Sequence, residues 1–283
     1  MRHLLIAVFA LLIANLQPLS ANRVYLPATN YSPQASAGLA GGWISCSDLA
    51  TLNLAGRGGW YYRWWDVPDC PPSTAEHVPM WGWPGQGWYY GAGYQGYALF
   101  CNEPDRPDQC NKTPAQLAAL WVQFRVLCPY CRMIVLNVSR CDNTTYYSQW
   151  REAVRSLTGS YPVVTGYGCH SYDTRAGILA QVQAMRNWMV STGEGDKQLW
   201  ITEFARTWQW GGSQLSVADL QAVINQFEAW PWLSRYAAYP PRYCTTGVCP
   251  NALFVGSSTT NLTNQGVVYK NGASGYPGPE IQQ

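Results

Sequence analysis

Short runs of β-branched or aromatic residues alternate with longer runs of helical period from about Gly41 onward. The pattern predicts strands at Gly42–Ser45, Gly59–Trp64, Val78–Gly82, Tyr97–Asn102, Met133–Val138, Val163–His170, Leu199–Phe204 and Arg235–Tyr239. It predicts helices at Thr113–Leu127, Thr145–Thr158, Arg175–Thr192, Ser216–Ala229 and Leu262–Lys270. Two have clear starts: Pro114 follows Thr113, and Ser216 precedes an apolar-periodic stretch. Strands alternating with helices call for a parallel sheet with crossover helices. With 283 residues the leading architecture is one (β/α)8 barrel, with an open doubly wound sheet second. The glycine-rich stretch 82–96 opens no helix and is loaded with Trp and Tyr, so it reads as an aromatic loop, not a phosphate cradle.

The termini read differently. Residues 1–21 have a short polar start at Arg2 and His3, an apolar run at Leu4–Leu16, a break at Gln17-Pro18 and small residues at Ser20 and Ala21. That is the layout of a secretory signal peptide. The apolar run of roughly 13 residues falls short of the about 20 needed to span a bilayer. Residues 22–40 read as a lead-in or linker, 41–272 as the domain and 273–283 as a tail.

Ten cysteines follow that leader, an even count that suits an oxidising compartment and up to five disulfides. Connectivity cannot be deduced from spacing, although Cys101/Cys110 and Cys244/Cys249 are near enough to staple single loops. Cys128-Pro-Tyr-Cys131 has redox spacing, but it follows a helix instead of opening one, so a structural bridge is expected. After the leader only His77 and His170 remain, which argues against a zinc site; no metal or cofactor is expected. A formal net charge of +2 disfavours nucleic acid as a partner. Fifteen Trp and nineteen Tyr against six Phe favour wet, stacked recognition surfaces as well as cores.

Among the glutamates, Glu103 and Glu203 stand apart, because each ends an apolar strand. In a barrel, strand C-termini line the active-site mouth. Counting strands puts Glu103 after the fourth and Glu203 at the seventh, across the mouth from one another. Two carboxyl groups so placed are what glycoside hydrolysis uses, one as proton donor and one as nucleophile. No Gly-x-Ser-x-Gly elbow is present for a serine hydrolase.

Leu99-Phe-Cys-Asn-Glu-Pro-Asp105 resembles the turn after the fourth strand of clan A barrel glycosidases. Gln109-Cys-Asn-Lys-Thr-Pro114, Gly59-Trp-Tyr-Tyr-Arg-Trp64, Val78-Pro-Met-Trp81, His170-Ser-Tyr172, Leu199-Trp-Ile-Thr-Glu-Phe-Ala205 and Arg235-Tyr-Ala237 are similar to family 128 glycoside hydrolases, the Asl1-like catalytic core group. These matches span about Trp60 to Lys270, and Cys101 stands where that family usually has Phe. The resemblance implies a retaining β-glycanase acting most often on β-1,3-glucan. It assigns Glu103 as acid/base, Glu203 as nucleophile and Asn102 as the partner of the sugar 2-hydroxyl. His170 and Tyr172 end the sixth strand, where Tyr172 could hold Glu203 ionised by a hydrogen bond.

Flat aromatic rings stack on sugar C–H faces. Trp81 and Trp83 after the third strand, and Trp208 and Trp210 after Glu203, are the expected platforms. Trp60, Trp64 and Trp65 alternate sides, so one or two belong to the core; Trp121, Trp150, Trp188 and Trp200 are expected to pack. The sequence thus describes a secreted, monomeric, disulfide-stapled barrel acting on a polysaccharide, with no nucleic-acid partner and no stable membrane insertion. Two alternatives stand beside β-1,3-glucan: another β-glycan such as β-1,4-glucan or mannan, or a non-catalytic carbohydrate-binding barrel.

Overall fold

A computed structural model describes residues 36–41, 44–54, 56, 58–71, 75–82, 87–207, 213–240 and 252–272. The stretch read as a signal peptide, the tail, and Cys244 and Cys249 lie outside the described residues.

Among the described residues nine strands form one all-parallel sheet: β1 (Ser36–Ala40), β2 (Trp60–Tyr62), β3 (Glu76–His77), β4 (Met80–Trp81), β5 (Tyr97–Phe100), β6 (Arg132–Val138), β7 (Gly166–Tyr172), β8 (Gln198–Ala205) and β9 (Leu233–Ala238). Their order is β3-β2-β1-β9-β8-β7-β6-β5-β4. The two ends of this order are separated only by Val78 and Pro79. Val78 N–H donates to Tyr61 O on one side (2.9 Å), and Leu99 N–H donates to Pro79 O on the other (2.8 Å). β3 and β4 are therefore two halves of one barrel strand, and the sheet closes as an eight-stranded (β/α)8 barrel.

The helices are α1 (Cys46–Thr51), α2 (Pro114–Leu127), α3 (Thr144–Thr158), α4 (Arg175–Ser191), α5 (Val217–Ala229) and α6 (Asn264–Asn271). Local chemistry starts them. Thr113 and Gln116 form a capping box on α2 with Pro114 at its first turn, and the Ser216 side chain accepts from Asp219 N–H on α5. Among the described residues no helix follows β2 or β4. Trp88, Tyr90 and Tyr94 fill that part of the outer layer, with Trp88 edge-on to Phe124 of α2. Among the described residues, no helix is long and apolar enough to cross a membrane.

Strand alternation sorts the side chains into two cores. Trp60, Tyr62, Met80, Tyr97, Leu99, Ile134, Trp200 and Ala237 fill the barrel interior. Tyr61, Trp81, Phe100, Tyr167, Leu199, Ile201 and Tyr236 face outward onto the helices. Trp121, Trp150 and Trp188 pack there from the helix side, as the sequence predicted. Arg235 lies over the ring faces of Trp200 and Tyr97 and pairs with Glu76 at 2.7 Å, closing the floor.

The first strand departs from expectation. It lies at Ser36–Ala40, inside the stretch read as lead-in, while Ile44 and Ser45 of the expected strand are in no strand and the rest of that stretch lies outside the described residues. Gly38 within it has no room for a side chain: a Cβ there would sit 2.5 Å from the Trp60 indole. Four disulfides join described cysteines, Cys46–Cys70, Cys101–Cys110, Cys128–Cys131 and Cys141–Cys169. Cys128–Cys131 is thus a bridge behind α2.

Candidate active site

Glu103 follows β5, and its backbone is held by a hydrogen bond from its N–H to Asn137 O on β6 (3.0 Å). Cys101 and Glu103 both adopt left-handed backbone, with φ of 61° and 41°. Such conformations are costly for non-glycine residues and cluster at functional sites. The Asn137 amide braces this turn from below, donating to Cys101 O at 3.0 Å.

Glu203 reaches the interior by a register slip. On β8, Trp200 points in and Ile201 points out, so regular alternation would point Thr202 in and Glu203 out. The pairing with β7 jumps from Cys169↔Ile201 to His170↔Glu203. Thr202 is the extra residue, its hydroxyl donating to Cys169 O at 3.3 Å. The bulge returns Glu203 to the interior, a known use of bulges beside active sites.

The two glutamates meet at His170. Its Nδ1 lies 2.9 Å from Glu103 Oε1 and 3.5 Å from Glu203 Oε2. One donor atom from each of the three residues lies within 4.8 Å of the other two. Glu103 Oε2 has Arg106 Nε at 3.4 Å. Tyr62 Oη donates to Glu203 Oε1 at 2.8 Å, and Tyr172 Oη donates to Glu203 Oε2. All of Glu103, His170 and Glu203 are buried. Among the described residues this trio is also the one cluster with metal-ligand spacing, yet its carboxylate oxygens already accept from the Tyr62 and Tyr172 hydroxyls, lie against His170 Nδ1 and pair with the Arg106 guanidinium.

The electrostatics follow from that packing. Burial pushes the Glu203 carboxyl above its usual value; the His170 charge pulls it down, Glu103 pushes it up, and the two tyrosine hydroxyls pull it down again. Burial alone would lower His170, but Glu203, Glu103 and Asp105 outweigh it and raise the imidazole above 6.5. Burial, then Glu203, pushes Tyr62 and Tyr172 well up, so both stay protonated donors.

A cleft of about 300 Å³ opens beside these groups, lined by Trp64, Gly82, Asn102, Asp108, Gln109, Cys110 and Tyr239. Asn102 donates to Gln109 Oε1 at 3.2 Å and keeps its Oδ1 buried without a partner. Trp64 also holds its indole N–H buried and unpaired. Tyr239 sits edge-on to Tyr172, linking the cleft to the Glu203 carboxylate.

The expected sugar platforms fare unevenly. Trp81 is corrected: it is 3 % exposed and stacks on Phe100 and Phe124 behind the barrel wall. Alternation on the two-residue β4 sends Met80 inward and Trp81 outward. Trp83, Trp208 and Trp210 lie outside the described residues. Trp64, Tyr239 and Tyr62 were not singled out as site residues from the sequence. Trp60, Tyr62 and Trp64 share one parity, and with Trp60 in the core the next two continue up the same inner side to the mouth; that was the available signal.

The sequence matches the family described as glycosyl hydrolase catalytic core over residues 38–269. No curated protein matches it. Among solved structures, the fold is similar to a family 128 subgroup II endo-β-1,3-glucanase from Sorangium cellulosum, at 24 % identity and TM-score 0.63, covering 84 % of this chain and 98 % of that one. It is similar to a subgroup I endo-β-1,3-glucanase from Amycolatopsis mediterranei in complex with laminaritriose, at 20 % identity and TM-score 0.62, covering 83 % and 98 %. A subgroup III curdlan-specific exo-β-1,3-glucanase from Blastomyces gilchristii, in complex with glucose, is similar at 21 % identity and TM-score 0.63, covering 83 % and 97 %. With a closed parallel barrel, two glutamates at its mouth and a family match spanning nearly all of that barrel, the chain belongs to the glycosyl hydrolase catalytic core family.

Proposed function

We propose that the protein is a secreted, retaining β-1,3-glucanase working by double displacement, with Glu203 as nucleophile and Glu103 as acid/base. The carrying observation is the spacing of the glutamates, whose nearest ligand oxygens lie within 4.8 Å. Retaining enzymes hold their carboxyl groups about 5 Å apart, whereas inverting ones leave room for water at about 6.5–9.5 Å. The β-1,3-glucan preference draws on the similar folds described above. Four disulfides fit an oxidising compartment.

In the first step a Glu203 oxygen attacks the anomeric carbon as the glycosidic C–O bond breaks. Glu103 gives its proton to the leaving oxygen. In the second step Glu103, now a carboxylate, takes a proton from water. That water attacks the anomeric carbon, and the Glu203 carboxylate leaves. Tyr62 and Tyr172 keep Glu203 anionic for the first attack, each donating to a different oxygen. The orphan Oδ1 of Asn102 is an acceptor for a sugar hydroxyl.

The test is hydrolysis of laminarin by wild type, Glu203→Gln and Glu103→Gln, with product anomers followed by NMR. Loss of activity in both variants and a β-anomer formed first are expected. Full activity in either variant, or an α-anomer first, overturns the reading. A panel with β-1,4-glucan and mannan separates the substrate from the mechanism.

A further inference from the structure

We propose that the Cys101–Cys110 disulfide is a positioning element for catalysis: it holds the left-handed turn that aims Asn102 and Glu103 into the cleft. The inference rests on the glucanase reading and concerns the same site.

The turn is anchored well on its approach. Cys101 N–H donates to Trp81 O at 2.8 Å, and Glu103 N–H donates to Asn137 O at 3.0 Å. Beyond Glu103 the chain leaves the sheet. Pro104–Gln109 forms two local turns of its own, Arg106 N–H to Glu103 O and Gln109 N–H to Arg106 O. On the side away from the cleft, Asp105 tethers this loop by accepting from the Ser139 N–H, the Ser139 hydroxyl and Asn143 Nδ2.

On the cleft side the covalent tether is the disulfide, beside hydrogen bonds from Asn102 Nδ2 to Gln109 Oε1 (3.2 Å) and from Lys112 N–H to Pro104 O (2.9 Å). It closes the loop directly under Asn102, where Cys110 N–H also donates to Asn102 O at 3.1 Å. Both sulfurs' residues are buried, at 1 % and 3 % exposure. Cys101 and Glu103 pay for left-handed backbone at 61° and 41°, and relaxing either angle would swing the intervening Asn102 and the Glu103 carboxyl. A covalent closure at Cys101 removes the relaxed alternatives from reach. The link therefore acts on Glu103 and Asn102; Glu203, on β8, is held by Tyr62 and Tyr172 independently of it.

The test is a Cys101→Ser/Cys110→Ser variant, with Cys101→Ala/Cys110→Val as a volume-matched second pair should the first not fold. Cys128→Ser/Cys131→Ser is the control, since it removes a bridge far from the cleft. Kinetics are measured on laminarin and on a dinitrophenyl β-laminarioside, well below each variant's unfolding midpoint. The expected result is a fall in kcat on laminarin of about tenfold or more with KM changed less than threefold. The control should stay within twofold of wild type.

The activated aryl glycoside needs no proton for its leaving group, so its glycosylation step should be spared. Azide, which needs no general base, should then raise turnover in the variant by attacking the anomeric carbon as Glu203 departs, giving the β-glycosyl azide. A disulfide that only adds stability moves none of these. A variant with unchanged kcat and no azide response overturns the inference and leaves the glucanase reading intact. A wild type that releases no sugar overturns the glucanase reading and the inference together.

Discussion

His170 and Glu203 face one another across β7 and β8 because the register slips by one residue between Cys169 and His170. That slip converts an outward-facing position into the interior one, and it brings the histidine ring nitrogen to 3.5 Å from Glu203 and 2.9 Å from Glu103. That one ring nitrogen thus lies between the two carboxyl groups and ties them together in the buried mouth.

A pH dependence follows from His170. Its folded pKa is raised above 6.5, so its contribution to stability is fully present below the unfolded value and is lost as pH rises through the folded one. The unfolding midpoint of the wild type is expected to fall as pH climbs above about 6.5. In His170→Gln that decline should disappear, as measured by calorimetry across pH 5–9. An identical decline in the variant contradicts the assignment.

The acid limb of activity belongs to Glu203. Burial raises its carboxyl above the ordinary value, so kcat/KM is expected to fall on acidification at a pH above 4.5. Tyr62→Phe and Tyr172→Phe each remove a hydrogen bond to the charged carboxylate, worth about 1.5–3 kcal/mol. Each should lower kcat/KM about tenfold to a hundredfold and move the acid limb further up. A pH–rate profile that keeps its limb in both variants would sever the tyrosines from the nucleophile.

Trp64 and Trp81 should separate cleanly. Trp64 lines the cleft, so Trp64→Ala should raise KM for laminarioligosaccharides about tenfold, the loss of about 1.4 kcal/mol of binding, with little change in the unfolding midpoint. Trp81 is sealed between Phe100 and Phe124, so Trp81→Ala should cost about 3–5 kcal/mol of stability with KM nearly unchanged where the protein remains folded. Steady-state kinetics paired with denaturant titration reads both.

Much of this was legible beforehand for physical reasons. Glu103 stood out because it follows the apolar β5, and Glu203 because it ends the apolar run Leu199–Thr202, although β8 itself continues past it to Ala205. The later helices were legible from caps and period, as at Thr113-Pro114 and Ser216. The first strand was hidden because Ser36–Ala40 has no β-branched residue; its Gly38 answers Trp60, a partner visible only in three dimensions. The six-residue α1 was too short to show a period. Trp81 was misread because a two-residue strand gives no run of alternation from which to tell its faces. The bulge at Thr202 left no mark in composition: regular alternation from Trp200 would have turned Glu203 away from the site.

Covalent trapping identifies the nucleophile itself. Incubation with a 2-deoxy-2-fluoro-β-laminaribiosyl fluoride slows the second step and lets the glycosyl-enzyme accumulate, and peptide mass spectrometry then locates the sugar. One fluorosugar per chain is expected, esterified to Glu203. A label on Glu103, or active enzyme that hydrolyses laminarin yet never takes up the label, would contradict it.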